Sequence, residues 1–178
     1  VTGEREFWSL TLRVNRHVLI PRPETELLVE TALGLLPSNI QRVADLGTGS
    51  GAIALALAKE RPDWKLYASD LSADALAVAS DNALGHQISN VQFSLGSWCE
   101  ALPAEPVMMI ISNPPYIDPQ DSHLTQGDLR FEPITALRAA DAGIADIRTI
   151  ITQAPDHLLP GGWLLLEHGF EQAFAVRK

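Results

Sequence analysis

The sequence is poor in cysteine, in basic side chains and in long apolar runs. Cys99 is the one cysteine in 178 residues, so no internal disulfide can form and a reducing, cytoplasmic setting is expected. With no activating partner evident in the sequence, Cys99 reads as a packing residue rather than a nucleophile. No apolar stretch approaches the ~20 residues that cross a bilayer, so no membrane partner is expected. No basic start followed by an apolar stretch marks a targeting segment. Lys and Arg total 13 against 22 Asp and Glu, a net charge of −9 with a pI near 4.9. A long nucleic-acid interface draws its affinity from cations that neutralise phosphates, so a nucleic-acid partner is not expected either. The five histidines, His17, His86, His123, His157 and His168, show no metal-ligand spacing, and no metal site is expected. Internal repeats and low-complexity segments are absent.

What is present suits one domain with a sizeable core, since 46% of the residues are hydrophobic. Residues 1–23 read as an N-terminal arm, in which Leu10-Thr11-Leu12-Arg13-Val14 has the alternation of a small hairpin. Residues 24–178 read as the main unit. A helix is expected over 25–36, then strands near 42–46, 64–70, 91–95, 107–112 and 163–168. Helices near 51–60, 72–84 and 144–158 alternate with them. This βαβ rhythm predicts an α/β fold with a mostly parallel sheet covered on both faces. The 31 residues from Ser112 to Ala142 hold four prolines and form a long connection of the kind that usually serves function. The chain starts at Val1 and ends just inside a helical pattern, which reads as a piece of a longer protein.

Two motifs close strands. Val107-Met108-Met109-Ile110-Ile111 runs into Asn113-Pro114-Pro115-Tyr116, which sets a side-chain amide, a rigid turn and an aromatic ring at a strand's carboxyl end, where open α/β sheets bind ligands. Two prolines in succession fix φ and aim the backbone carbonyls. Earlier, Arg42-Val43-Ala44-Asp45-Leu46 leads through Gly47-Thr48-Gly49-Ser50-Gly51 into a helical run, a strand, glycine turn and helix of nucleotide-binding type. Gly47, Gly49 and Ala52 also satisfy the looser dinucleotide pattern, so the turn alone leaves a nicotinamide enzyme open. Asp70 ends the next strand nineteen residues after Gly51 and is placed to accept both hydroxyls of a ribose; the alternative is that Ser69-Asp70-Leu71-Ser72 caps the following helix.

Together these pieces resemble the class I S-adenosylmethionine-dependent methyltransferases. Five stretches in order narrow the likeness: Gly3-Glu4-Arg5-Glu6-Phe7-Trp8, Leu19-Ile20-Pro21-Arg22-Pro23-Glu24-Thr25-Glu26, Asp45 to Gly51, Ser112-Asn113-Pro114-Pro115-Tyr116-Ile117 and Arg130-Phe131-Glu132-Pro133. They are similar to the protein-(glutamine-N5) methyltransferases that modify peptide-chain release factors. The Asn-Pro-Pro-Tyr element by itself is shared with enzymes that methylate adenine or cytosine amino groups, which keeps an adenine N6 methyltransferase as the alternative.

The resemblance implies a Rossmann-like fold, truncated after the fifth strand and without the helical recognition domain that precedes the arm in full-length relatives. The strand Trp163-Leu164-Leu165-Leu166-Glu167 is then expected at a sheet edge. It implies S-adenosyl-L-methionine as cofactor and S-adenosyl-L-homocysteine as product. Gly47, Thr48, Gly49, Ser50 and Gly51 are implied to face the methionine and ribose end, Asp70 to hold the ribose hydroxyls, Trp98 to lie along the adenine and Asn113 to border the methyl. Ser97 stands where many methyltransferases have an aspartate. The implied partners are class 1 release factors, methylated on the glutamine of their Gly-Gly-Gln motif. In that chemistry the Asn113 oxygen and the Pro114 carbonyl each accept an amide N–H of the glutamine, with Pro115 stiffening the wall and Tyr116 covering the flat amide. Arg22, Glu24 and Thr25 are candidates to line a lid, although Thr25 can equally cap the next helix. Phe131-Glu132-Pro133 is expected to shape the substrate loop, and His168 to lie near the cleft.

Overall fold

The computed structural model describes residues 3–116, 133 and 143–177. Ile117, Arg130, Phe131, Glu132 and His123 lie outside them.

The first described residues form the hairpin that their alternation suggests. Strands β1 (Glu4–Phe7) and β2 (Leu10–Arg13) form an antiparallel hairpin. Trp8 and Ser9 turn it with φ of 48° and 60°, the left-handed pair of a two-residue hairpin turn whose twist matches the strands. Alternation buries Phe7, Leu10 and Leu12, which join the core cluster formed with Val29, Val43, Leu55 and Met109. The hairpin is thereby part of the main hydrophobic core. Asn82 fastens it further: its oxygen accepts from Arg13 N (2.8 Å), while its nitrogen donates to Arg13 O (3.1 Å) and Ser50 O (2.9 Å).

A single turn of 3-10 helix, Pro23–Thr25, leads into α1 (Glu26–Leu35). Then come β3 (Arg42–Leu46), α2 (Ala52–Glu60), β4 (Lys65–Asp70), α3 (Ala73–Gly85), β5 (Val91–Leu95), β6 (Val107–Ser112), α4 (Ala145–Gln153) and β7 (Leu158–Leu166). A last short helix, α5, spans Ala173–Val176. The sheet has the order β5-β4-β3-β6-β7, with every pair parallel. Val43, Met109 and Ile111 enter one core cluster, whereas Ala44, Leu46 and Ile110 enter another with Ile150 and Ala154 of the α4 region. Both faces are therefore covered, as the unbroken apolar runs of the strands require. α2 is buried at every position from Ala52 to Ala58, and α3 is buried on one stripe, Ala75, Val78, Ala79, Asn82 and Ala83, the spacing of a single helix face.

The carboxyl-terminal elements depart from expectation. The last helix of the βαβ series stops at Gln153 and a 3-10 turn, Ala154–Asp156, follows it. Pro155 in that turn lacks the N–H an α-helix needs. β7 starts at Leu158, not 163, because Leu158 already pairs with Val107 before an irregular excursion through Pro160, Gly161 and Gly162. Regular pairing resumes at Met109 with Trp163. Among the described residues β7 is an edge of the sheet, as anticipated, and Trp163 is exposed on it.

Candidate active site

Strand order reverses at β3, between β4 on one side and β6 on the other, and the register pairs Leu46 with Ser112. Gly47 and Asn113 thus leave adjacent strands at the same level of the sheet. That is the switch point where open α/β sheets take ligands.

The three glycines of the turn serve three purposes. All have φ in the left-handed region, +71°, +56° and +85° for Gly47, Gly49 and Gly51. At Gly49 a Cβ would meet nothing within 4 Å, so the main chain there borders open space that a ligand can approach. At Gly47 a Cβ would sit 3.4 Å from the Trp98 ring. At Gly51 it would press on Leu55 (2.9 Å) and Ala79 (3.3 Å), so this glycine lets α2 and α3 close together. Thr48 and Ser50 are turned inward. The Thr48 hydroxyl donates to Asp45 Oδ2 at 2.7 Å, and Ser50 is 2% exposed. Only their backbone is available to a ligand.

The turn's amides are largely spent. Gly47 N and Thr48 N donate to Ser69 O at 2.8 and 2.9 Å, Gly49 N donates to Asp70 Oδ2 at 2.9 Å, and Gly51 N donates to Thr48 O at 2.8 Å. The start of α2 is met by Asp45, whose Oδ2 accepts from Ala54 N at 3.1 Å. A pyrophosphate needs free N–H groups and a helix terminus clear of fixed anions. Here two carboxylates, Asp45 and Asp70, hold that position, which suits a cationic ligand and argues against a dinucleotide. Burial pushes the Asp45 carboxyl up to about 6, opposed by its bonds from Thr48 and Ala54 and reinforced by the nearby Asp70 charge. Asp45 Oδ1 is buried with no partner among the described residues.

Asp70 uses Oδ2 on Gly49 and Oδ1 on Ser72 N (2.9 Å), and each oxygen retains a second lone pair for a hydroxyl. The helix cap itself is Ser72, whose Oγ accepts from Ala75 N at 3.2 Å. Trp98 is brought to the same place. Its backbone lies at φ +43°, its ring rests against Gly47, and its indole N–H donates to the Asp146 carboxylate, whose pKa burial raises despite that bond. Ser97 makes no side-chain cap to the 3-10 turn it precedes. Cys99 is fully buried and its thiol is pushed up to about 11 by desolvation, so it is unreactive packing.

On the other side of the cleft lies a polar chain that sequence reasoning missed. Asn113 Nδ2 donates to Thr25 Oγ1 at 3.1 Å, and Thr25 Oγ1 donates to Glu167 Oε2 at 2.7 Å. Tyr116 OH donates to Glu167 Oε1 at 3.1 Å. Thr25 does not cap α1. Glu167 lies one residue past β7, and its backbone N–H reaches Ser112 O at 3.0 Å. The signal was legible: a carboxylate at the end of an apolar parallel strand sits where ligands bind. Burial and Glu167 push the Tyr116 hydroxyl up to about 12, with the charge of Arg22 opposing the shift and that of Glu24 adding to it. Gln172 Nε2 donates to Tyr116 O at 2.9 Å. Pro114 is buried and Pro115 half-buried. His168 Nδ1 contacts only its neighbour's carbonyl, Gly169 O, at 2.9 Å, and no group of metal-binding side chains occurs among the described residues.

Residues 23–129 match the model of the methyltransferase small domain. The chain belongs to this methyltransferase family. It is 56% identical over 178 residues to a release factor glutamine methyltransferase of Escherichia coli strain K12, a match that covers 100% of the chain and 64% of that protein. The chain thus spans about two thirds of the length of such curated relatives. Among solved structures, a methyltransferase from Pyrococcus furiosus shares the fold at a TM-score of 0.67 and 19% identity, covering 94% of this chain and 74% of that one. A methyltransferase from Thiobacillus denitrificans in complex with S-adenosyl-L-homocysteine does so at 0.52 and 24%, covering 82% and 48%. The parallel five-stranded sheet of this methyltransferase domain is the Rossmann-like class I architecture expected from the sequence. No helix among the described residues is long and apolar enough to cross a membrane.

Proposed function

We propose that this methyltransferase takes a methyl group from S-adenosyl-L-methionine and transfers it to the side-chain amide nitrogen of the glutamine in the Gly-Gly-Gln motif of class 1 peptide-chain release factors. The cofactor supplies an electrophilic methyl on a sulfonium, so the protein's task is positioning, which can contribute roughly 7 to 11 kcal/mol. Supporting the cofactor reading are the open face at Gly49 and the two carboxylates at the turn, which complement a ligand carrying cationic groups. Asp70 would receive the ribose hydroxyls, the backbone of Gly47 to Gly51 would border the methionine end, and Trp98 would lie along the adenine.

A glutamine amide is a weak nucleophile because its nitrogen lone pair is delocalised into the carbonyl. Asn113 Oδ1 and the Pro114 carbonyl would each accept one of its N–H groups, aim the nitrogen and stabilise the positive charge that develops on it. This is electrostatic preorganisation without a strong base. Tyr116 would cover the amide plane over the wall formed by Pro114 and Pro115. The observation that supports this reading is the state of Asn113 at the end of β6: one N–H of its Nδ2 is spent on Thr25, while its Oδ1 accepts no hydrogen bond among the described residues and can receive one from a substrate. The arm, 1–23, and the unit 24–178 would act together in the cytoplasm, where release factors work.

Mass spectrometry tests this directly. A release factor and an unmethylated DNA duplex are incubated together with the protein and S-adenosyl-L-methionine. Methylation is expected on the Gly-Gly-Gln glutamine; a methylated adenine beside an untouched release factor would instead establish the nucleic-acid alternative.

A further inference from the structure

Resting on that reading, we infer that Thr25 and Glu167 are positioning residues that set the direction of the Asn113 amide and so make Asn113 an acceptor for the substrate. An ionised carboxylate can only accept hydrogen bonds. The single hydroxyl hydrogen of Thr25 therefore goes to Glu167 Oε2, at 2.7 Å, and the lone pairs of Thr25 Oγ1 are what Asn113 meets at 3.1 Å. A carboxamide facing a lone pair must present nitrogen. The charge on Glu167 thus dictates, through one hydroxyl, which end of Asn113 points into the cleft. Were the Thr25 hydroxyl free to rotate, it could donate to Asn113 Oδ1, and the amide would turn a donor towards the substrate's own N–H groups.

The surroundings hold this relay rigidly. Thr25 is 4% exposed, so bulk water cannot substitute for its hydroxyl. It stands at the start of a helix, where threonine ordinarily caps, yet it makes no cap and reaches 142 residues along the chain instead. Glu167 grips the turn on both sides of Asn113, with its backbone N–H on Ser112 O and its Oε1 on Tyr116 OH. The start of α1, the end of β6 and the end of β7 are tied at one point, and Asn113 is at that point.

Two readouts test the inference in the full chain. The first is the NMR exchange rate and chemical shift of the Asn113 side-chain NH2. Protection in the wild type is expected to be lost in Thr25→Val and kept in Thr25→Ser. The second is kinetic: Thr25→Val is expected to lower kcat for release-factor methylation on the order of tenfold to a hundredfold, with KM and cofactor affinity little changed and Thr25→Ser restoring the rate. Glu167→Leu also frees the Tyr116 hydroxyl and should be at least as slow as Thr25→Val, while the double variant should be no slower than Glu167→Leu, because both break one relay. If Thr25→Val does not fold, Glu167→Leu carries both readouts. An unaltered Asn113 signal overturns the inference, whatever the rate does, and so does an altered signal with an unchanged rate. If the wild type transfers no methyl to the glutamine, the functional reading fails while the NMR comparison still decides whether the relay orients Asn113.

Discussion

Asn113 and Asp70 sit at the ends of different strands and are expected to fail differently. Asn113 is assigned to the acceptor side, and among the described residues its side-chain hydrogen bond goes to Thr25 and not to the glycine turn, so Asn113→Ala should abolish methyl transfer and spare most cofactor affinity. Asp70→Ala removes the oxygens that hold Gly49 N and Ser72 N, and should weaken cofactor binding first. Losing a charge-assisted acceptor of this kind costs roughly 1.5 to 3 kcal/mol, or about ten- to a hundredfold in affinity, readable by calorimetry. Asp45 carries a different prediction, because its carboxyl is pushed up to about 6 by burial. The folded state then binds the proton more tightly than the unfolded chain, so stability contributed by Asp45 is present at acid pH and lost as pH rises from about 4 to about 6. Between those limits wild type should lose about 2 kcal/mol relative to Asp45→Asn, measured by urea unfolding at each pH; a difference independent of pH would show that Asp45 does not titrate in this window.

Elements, rather than residues, decide whether the Asn113 turn is held in place. Gly143, with φ +83°, lies directly against it: a Cβ there would collide with Tyr116 O and stand 2.6 Å from Gln172 Nε2. Gly143→Ala should therefore displace the Tyr116 carbonyl or break its bond from Gln172. A left-handed alanine alone costs about 1 to 2 kcal/mol, so the variant should melt several degrees lower and also lose kcat, both checked on the same preparation. Much of this scale was legible in the sequence. The βαβ rhythm, the hairpin and the two strand-end motifs follow from periodicity and from Gly and Pro, which act locally. What escaped was long-range: Thr25 read equally as a lid residue or a cap, and only the tertiary fold brings Glu167 to it. The packing role of Gly51 escaped for the same reason, since it is set by the neighbouring helix α3.

At the scale of the molecule, net charge weighs against one of the two candidate substrate classes. The chain carries nine excess negative charges, and the candidate site has Asp70, Glu24 and Glu167 beside Arg22, with Asp45 buried beneath. Each phosphate that approaches such a surface meets repulsion in place of the counterion release that drives nucleic-acid binding. A nucleic-acid methyltransferase has to do more than bind: it must draw a base out of the stack at a cost of a few kcal/mol, repaid by contacts to the flanking backbone. A chain with a net charge of −9 offers little such repayment. A protein loop that ends in a neutral amide carries no phosphates and needs no extrusion. Unmethylated duplex DNA is thus expected not to inhibit release-factor methylation even at low ionic strength, where electrostatic attraction would be greatest. Inhibition that weakens steeply as salt is added would reveal a basic tract that the net charge conceals, and would return the nucleic-acid alternative to contention.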